Sequence, residues 1–305
     1  MKEQLNYAEI NITNVCNYSC AHCQSLNNYA FKGHQQWNAY KNEYQKLSKK
    51  LDIAQIQIIG GEPTLNPDFD KWVKGISELW PNSKLQIATN GSKLDKITNE
   101  IYQILLMHKG TLWITCHDII LYDSFLDFSR TFLNEIVSDT YSNDDWKTDY
   151  EKSKTDLSIK LKTVSRKLID KNGVEVILDW SQSFVPSVVE LVDQQLTMKY
   201  NSDPVQAHNI CYFKTCHQIN KGKLYKCPLV SVLPDFLNQF NVVMSDSDSK
   251  IAHSYNPASS TDTNFVEFVN NINNSIPQCK FCPSNYANKH KFIGTEKKIK
   301  IIPVL

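Results

Sequence analysis

The chain has 305 residues, with Lys+Arg 33 against Asp+Glu 32 and 41% hydrophobic residues. Its length exceeds the usual single core and predicts one large domain with an appendage, or two domains. The charge is balanced and Arg130 and Arg166 are the only arginines, which argues against a dedicated nucleic-acid surface, since arginine is the preferred planar fork for phosphates and base edges. No apolar stretch approaches the roughly 20 residues needed to cross a bilayer. The polar start "MKEQLNYAEINIT" lacks the apolar core of a signal peptide. The expectation is a cytoplasmic protein with neither a membrane nor a nucleic acid as partner. In a reducing compartment, nine cysteines point to metal or catalysis rather than to disulfides.

Taken in chain order, 7–13 ("YAEINIT") alternates like a strand, and "NVCNYSCAHCQS" (14–25) follows at its end with Cys16, Cys20 and Cys23. The aromatic-rich 27–40 reads as packing for a helix and as a shield for whatever the cysteines hold. Residues 53–61 read as a second strand, and 67–80 as a helix with Trp72, Ile76 and Leu79 at helical spacing. Then come a strand over 84–91, a helix over 93–108, a strand over 111–118 and a fifth strand over 173–180. Strands separated by helical stretches imply a parallel sheet, open or curled into a barrel. In such sheets the chemistry sits at the carboxyl ends of the strands. Here those ends carry Cys16, "GGEP" (60–63), "TNG" (89–91) and "CHD" (116–118). Residues 138–163 are charged and strand-poor, which predicts a solvated connector or helix, with a substrate-covering loop as the alternative. The lysine-rich 289–300 reads as solvated surface.

Three cysteines spaced C-x3-C-x2-C leave a question, because structural zinc wants four ligands and a cubic cluster has four irons. A loop of this spacing after a first strand resembles the radical S-adenosylmethionine (SAM) superfamily, and "IIGGEP" at the end of the next strand strengthens the resemblance. It implies a [4Fe-4S] cluster on Cys16, Cys20 and Cys23, whose open iron is chelated by SAM. It also implies an electron that cleaves SAM to a 5′-deoxyadenosyl radical, and a reductant such as flavodoxin or ferredoxin. The resemblance places Gly60, Gly61 and Glu62 at the SAM amino group. Glycine permits close backbone approach and a carboxylate accepts from an ammonium. His22 is placed near the adenine, and Thr89 and Asn90 are carried over as SAM neighbours. Nothing comparable is clear after the fifth strand.

The last third holds Cys211, Cys216, Cys227, Cys279 and Cys282. C-x10-G-x4-C from Cys211 through Gly222 to Cys227, then "CKFC", resembles a twitch domain, a shortened SPASM domain with one auxiliary iron–sulfur cluster. A zinc site is the alternative. The fold implied is α/β: a partial (β/α)6 TIM-like barrel over 1–190, and a small C-terminal twitch-type domain over 191–305. Five cysteines exceed four ligands, so either Cys211 or Cys216 is spare. Cys116 is likewise outside any cluster motif. A spare thiol, Cys116 or Cys216, is a candidate catalytic hydrogen-atom donor, whereas a buried cysteine otherwise serves as a small apolar residue. His117 and Asp118 are candidates for proton transfer or for ordinary capping. The expected activity is an oxygen-sensitive radical SAM enzyme modifying a peptide by epimerisation or cross-linking. Oxidation of a small polar metabolite such as a sugar or aminocyclitol is the alternative, and a non-catalytic electron-transfer module ranks below both.

Overall fold

A computed structural model describes residues 2–20, 23–142, 164–180, 183–184, 187–285 and 290–291. Its centre is a nine-stranded sheet. The first half delivers β1 (Glu3–Asn11), α1 (Trp37–Ser48), β2 (Leu51–Ile59), α2 (Phe69–Leu79), β3 (Lys84–Thr89), α3 (Asn99–Met107), β4 (Thr111–Thr115) and α4 (Tyr122–Phe132). Each strand here pairs in parallel with the next, as expected when a helix makes every crossover.

Two expectations need correction. The region before 143 is a strand, β5 (Ile136–Tyr141), which pairs antiparallel with β6 (Val164–Asp170), and β6 pairs antiparallel with β7 (Glu175–Trp180). Charged residues do not exclude a strand whose outer edge faces solvent; residues 143–163 lie outside the described residues. The helix expected over 93–108 starts later, because the Thr98 hydroxyl accepts from the Ile101 amide and caps α3 there.

β7 returns to pair in parallel with β4. On the far side of β1, β11 (His217–Asn220) pairs in parallel through Ala8↔His217 and Ile10↔Ile219, and turns back into β12 (Lys223–Tyr225). Six mutually parallel strands therefore run β11-β1-β2-β3-β4-β7, a partial TIM-like arrangement whose sixth strand comes from beyond residue 190.

The two faces differ in chemistry. One carries Ile10, Ile56, Ile58, Ile87, Leu112, Ile114 and Leu178, buried in one core with Tyr44, Trp72, Ile76, Leu105 and Phe125 of α1 to α4. This burial is the main stabilising term, at about 1.5–3 kcal/mol for each large apolar side chain. Because side chains alternate along a strand, the other face takes the intervening residues. There the register aligns Gln218, Glu9, Gln57, Gln86, Thr111 and Glu175 in one polar row. In a TIM-like barrel this is the inner face.

The remaining elements are smaller. They are β8 (Ser183–Phe184), β9 (Val189–Val192), β10 (Gln195–Met198), α5 (Pro204–Ile210), α6 (Pro228–Gln239), β13 (Val242–Val243), α7 (Asp246–His253), α8 (Phe265–Asn271) and β14 (His290–Lys291). β8 pairs with β14, and β10 pairs with β9 and β13. A second core joins Leu26, Tyr29 and Phe31, from the segment after the cysteines, to Val189, Leu196, Phe236 and Phe240. That segment is thereby clamped by α6. Among the described residues no helix is long and apolar enough to cross a membrane.

Candidate cluster and cofactor site

The cysteine loop leaves β1 and is laced to the turn after β2. The Gly61 amide donates to the Thr13 carbonyl (2.7 Å), and the Glu62 amide to the Val15 carbonyl (2.8 Å). A Cβ on Gly60 would stand 2.6 Å from the Thr13 carbonyl oxygen, and one on Gly61 would overlap the Val15 carbonyl. The glycines are thus required for contact between the two loops.

Glu62 is fully buried. Its Oε1 accepts from the Thr64 amide (3.2 Å), the Thr64 hydroxyl (2.5 Å) and the Thr89 hydroxyl (2.7 Å), and its Oε2 accepts from the Asn90 amide (2.7 Å). Burial raises its pKa, against these hydrogen bonds. The carboxylate so ties the β2 turn to "TNG". Oε1 accepts three of these four hydrogen bonds and Oε2 only one, so the room for a further donor is on Oε2. Asn90 in turn sends its Nδ2 to Cys16 Sγ (3.6 Å) and to Asn17 Oδ1 (3.1 Å). The stretches picked out from sequence, 16–20 with Cys23, 60–62 and 89–90, meet at one end of the sheet. His22 lies outside the described residues.

Each cysteine of the loop has polar company. Cys16 Sγ accepts from the Tyr18 amide (3.4 Å), and Cys20 Sγ lies 3.6 Å from His117 Nδ1. The amides of Asn27, Ser25 and Leu26 point at the Cys23 sulfur and oppose the upward push of burial on its thiol. Burial raises the Cys20 thiol, and the charges of Cys23 and Cys16 raise it further, so the three sulfurs share one neighbourhood. Crowded thiols that resist ionising alone are what a cationic centre reverses. Among the described residues no three His, Cys, Asp or Glu side chains gather tightly enough for one metal ion. A cluster asks for something different, a separate iron for each thiolate, and N–H groups turned toward sulfur suit it. The residues fit a cluster.

The C-terminal cysteines divide. Cys211, Cys227, Cys279 and Cys282 line one small pocket together with His208, Lys214 and Lys226. Cys227 caps α6, where burial pushes its thiol up to about 12 while the Val230 amide acts in the opposite direction. Cys216 is not in that lining. It lies beside Glu9 and Tyr7, where burial and then the Glu9 charge push its thiol up to about 12, with smaller contributions from Cys211 and Cys227, which are also within electrostatic reach.

Cys116 is 1% exposed, belongs to the main core, and donates to the Asp118 carbonyl (2.9 Å). His117 packs edge-on against Tyr18 at 5.8 Å and is pushed down to about 4 by burial.

Sequence reading passed over Tyr7, Glu9, Gln57, Gln218 and Asp179 on the polar face. The period-two pattern of "YAEIN", with Tyr7 and Glu9 alternating with Ala8 and Ile10, is the signal that points to them.

Residues 10–112 match the model of the Radical SAM superfamily. The chain is similar to GTP 3',8-cyclase of Haemophilus ducreyi (33% identical over 98 residues, 31% of this chain and 28% of that protein). It is also similar to GTP 3',8-cyclase of Nautilia profundicola (26% over 102 residues, 33% and 32%). The matched segment is therefore about a third of the length of these curated relatives. Among solved structures, BtrN in complex with AdoMet and 2-DOIA aligns over 90% of this chain and 89% of its own, at 17% identity and a TM-score of 0.41. Streptococcus suis SuiB bound to S-adenosylmethionine aligns over 43% and 32%, at 19% identity and a TM-score of 0.33. The matched segment holds Cys16, Cys20, Cys23, Gly60, Gly61, Glu62, Thr89 and Asn90, so that residues 10–112 carry a Radical SAM domain.

Proposed function

We propose that the chain binds a [4Fe-4S] cluster through Cys16, Cys20 and Cys23, binds SAM beside it, and abstracts hydrogen from a small polar molecule seated on the polar face of the sheet. The observation that carries this reading is the meeting of the cysteine loop with Glu62 and Asn90 at one rim, next to a face lined by amides and carboxylates. When bound, the cluster and SAM supply a reducing electron and the 5′-deoxyadenosyl radical that takes the substrate hydrogen. The protein's part is orientation. Glu62 holds the β2 turn against Asn90, Asn90 reaches Cys16, and His117 approaches Cys20.

Cys211, Cys227, Cys279 and Cys282 are proposed to hold the auxiliary cluster, because they share one cavity; Cys216 is left for the polar face. Zinc is the alternative occupant, since four cysteines also suit a tetrahedral ion. An external one-electron donor such as flavodoxin or ferredoxin is part of the proposal. The polar row suits a small polar metabolite, whose hydroxyls both donate and accept; the peptide that the sequence placed first is the second reading.

The test is anaerobic reconstitution with iron and sulfide, followed by reduction in the presence of SAM. About eight irons per chain, as two four-iron clusters, and formation of 5′-deoxyadenosine are expected. A protein that holds iron but never cleaves SAM contradicts the proposal.

A further inference from the structure

The polar face is unevenly charged. Its carboxylates include Glu9, Glu175 and Asp179. Glu175 is neutralised twice, by Lys84 (2.8 Å) and Lys167 (2.7 Å), and also accepts from Thr111 (2.9 Å). No basic side chain among the described residues pairs with Glu9 or Asp179, and Asp179 Oδ1 is buried without a hydrogen-bond partner.

Around Glu9 the shortage is of donors. Glu9 is 7% exposed and Gln218 2%. Glu9 Oε1 faces the Tyr7 hydroxyl at 3.2 Å, and Oε2 accepts from Gln218 Nε2 at 3.2 Å. The same Tyr7 hydroxyl meets Gln57 Oε1 more closely. A phenol has a single hydrogen, so it cannot serve both acceptors. Gln218 Oε1, the other end of the amide that donates to Glu9, is buried with no partner at all. One carboxylate oxygen and one amide oxygen are therefore left wanting donors in a place where unmet acceptors are costly.

Four occupants can be compared by count. A water supplies two donors, enough for both acceptors, but no charge to offset Glu9. A proton on Glu9 supplies one donor and leaves Gln218 Oε1 unmet. A hard divalent cation needs six or more oxygens, more than this nest offers. A substrate ammonium brings one positive charge and three donors, enough for Glu9 and Gln218 Oε1 with one to spare.

We infer that Glu9, Gln218 and Tyr7 form a subsite that recognises a primary ammonium group of the substrate. This rests on the proposed reading of the polar face as the substrate face, and it adds a substrate class, an amine that also carries hydroxyls for the amide row. Burial with no cation beside it pushes the Glu9 carboxyl up to about 7, the condition an incoming ammonium would relieve.

The test compares matched pairs on the reconstituted, SAM-loaded full chain by anaerobic calorimetry: D-glucosamine against D-glucose, and ethanolamine against ethylene glycol. The expected result is at least one amine bound tenfold or more tighter than its alcohol, with that ratio falling to near one in Glu9→Gln. Iron content and thermal midpoint check that the variant is folded, and Gln218→Leu provides a second variant that keeps the charge but removes both the unmet acceptor and the donor to Glu9; a partial loss of the ratio is expected. No amine preference in the wild type, including no binding by any of the four, overturns the inference, and so does a preference that persists in Glu9→Gln. Formation of 5′-deoxyadenosine on the same preparation is read separately: its absence sinks the radical reading, while the amine ratio stands or falls by itself.

Discussion

Glu62 sits at zero exposure with four donors aimed at its two oxygens, so replacing one oxygen by an NH2 group must set donor against donor. Glu62→Gln is expected to cost about 1.5–3 kcal/mol of stability, the range for hydrogen bonds to a charged group. It should also weaken SAM binding by roughly tenfold, which corresponds to about 1.4 kcal/mol. Chemical denaturation and equilibrium dialysis check the two effects, and an unchanged SAM affinity would place the contact elsewhere. The C-terminal thiols give a second residue-level prediction. Cys211→Ala removes a cavity-lining sulfur and should lower iron from about eight to about four per chain, while Cys216→Ala should retain about eight. The reverse pattern would return Cys216 to the ligand set. Spacing alone leaves Cys211 and Cys216 equivalent. What separates them is the pairing of β11 with β1, which brings Cys216 against Tyr7, and a parallel pairing between residues some 200 positions apart leaves no local mark in a sequence.

At the scale of elements, two contacts decide whether the rim and the edge hold. The β2 turn and the cysteine loop touch backbone to backbone at Gly60 and Gly61. Gly61→Ala forces a Cβ into the Val15 carbonyl, and overpacking of this kind costs about 1–3 kcal/mol; the loss should show as reduced iron on the first cluster, while the C-terminal cluster fills. At the other edge, Arg166 is 8% exposed and grips Asp139 with Nε (2.7 Å) and Nη2 (2.5 Å), its guanidinium 4.2 Å above the Tyr141 ring. The guanidinium holds the Asp139 carboxyl below its usual range. A carboxyl whose folded pKa is depressed contributes stability above its unfolded value, near 3.9, and that contribution is lost as pH falls through the lower folded value. Urea midpoints should therefore fall on acidification below about pH 4, and less steeply in Arg166→Met than in the wild type. Equal slopes would remove the pair from the acid response. Strands β1 to β4 and β7 are legible in the sequence because apolar residues recur at every second position between turn signals. β5 is not, since Ile136–Tyr141 is largely exposed and its charges read as a connector.

Across the whole molecule, two chemistries share one sheet. The apolar face packs α1 to α4, and the polar face presents carboxylates and amides beneath the rim where the cysteine loop, Glu62 and Asn90 converge. The rim was readable because its parts are short contiguous stretches at strand ends. The polar face was not, because its members are scattered over β1, β2, β3, β7 and β11 and come together only through register. The measurement that bears most directly on the central claim is 5′-deoxyadenosine formation by the reduced, reconstituted chain, with and without Cys16, Cys20 and Cys23. Wild type is expected to cleave SAM. The triple alanine variant should keep about four irons in its C-terminal site and form no 5′-deoxyadenosine. If that variant still cleaves SAM, these three cysteines do not hold the active cluster and the account of the rim is wrong.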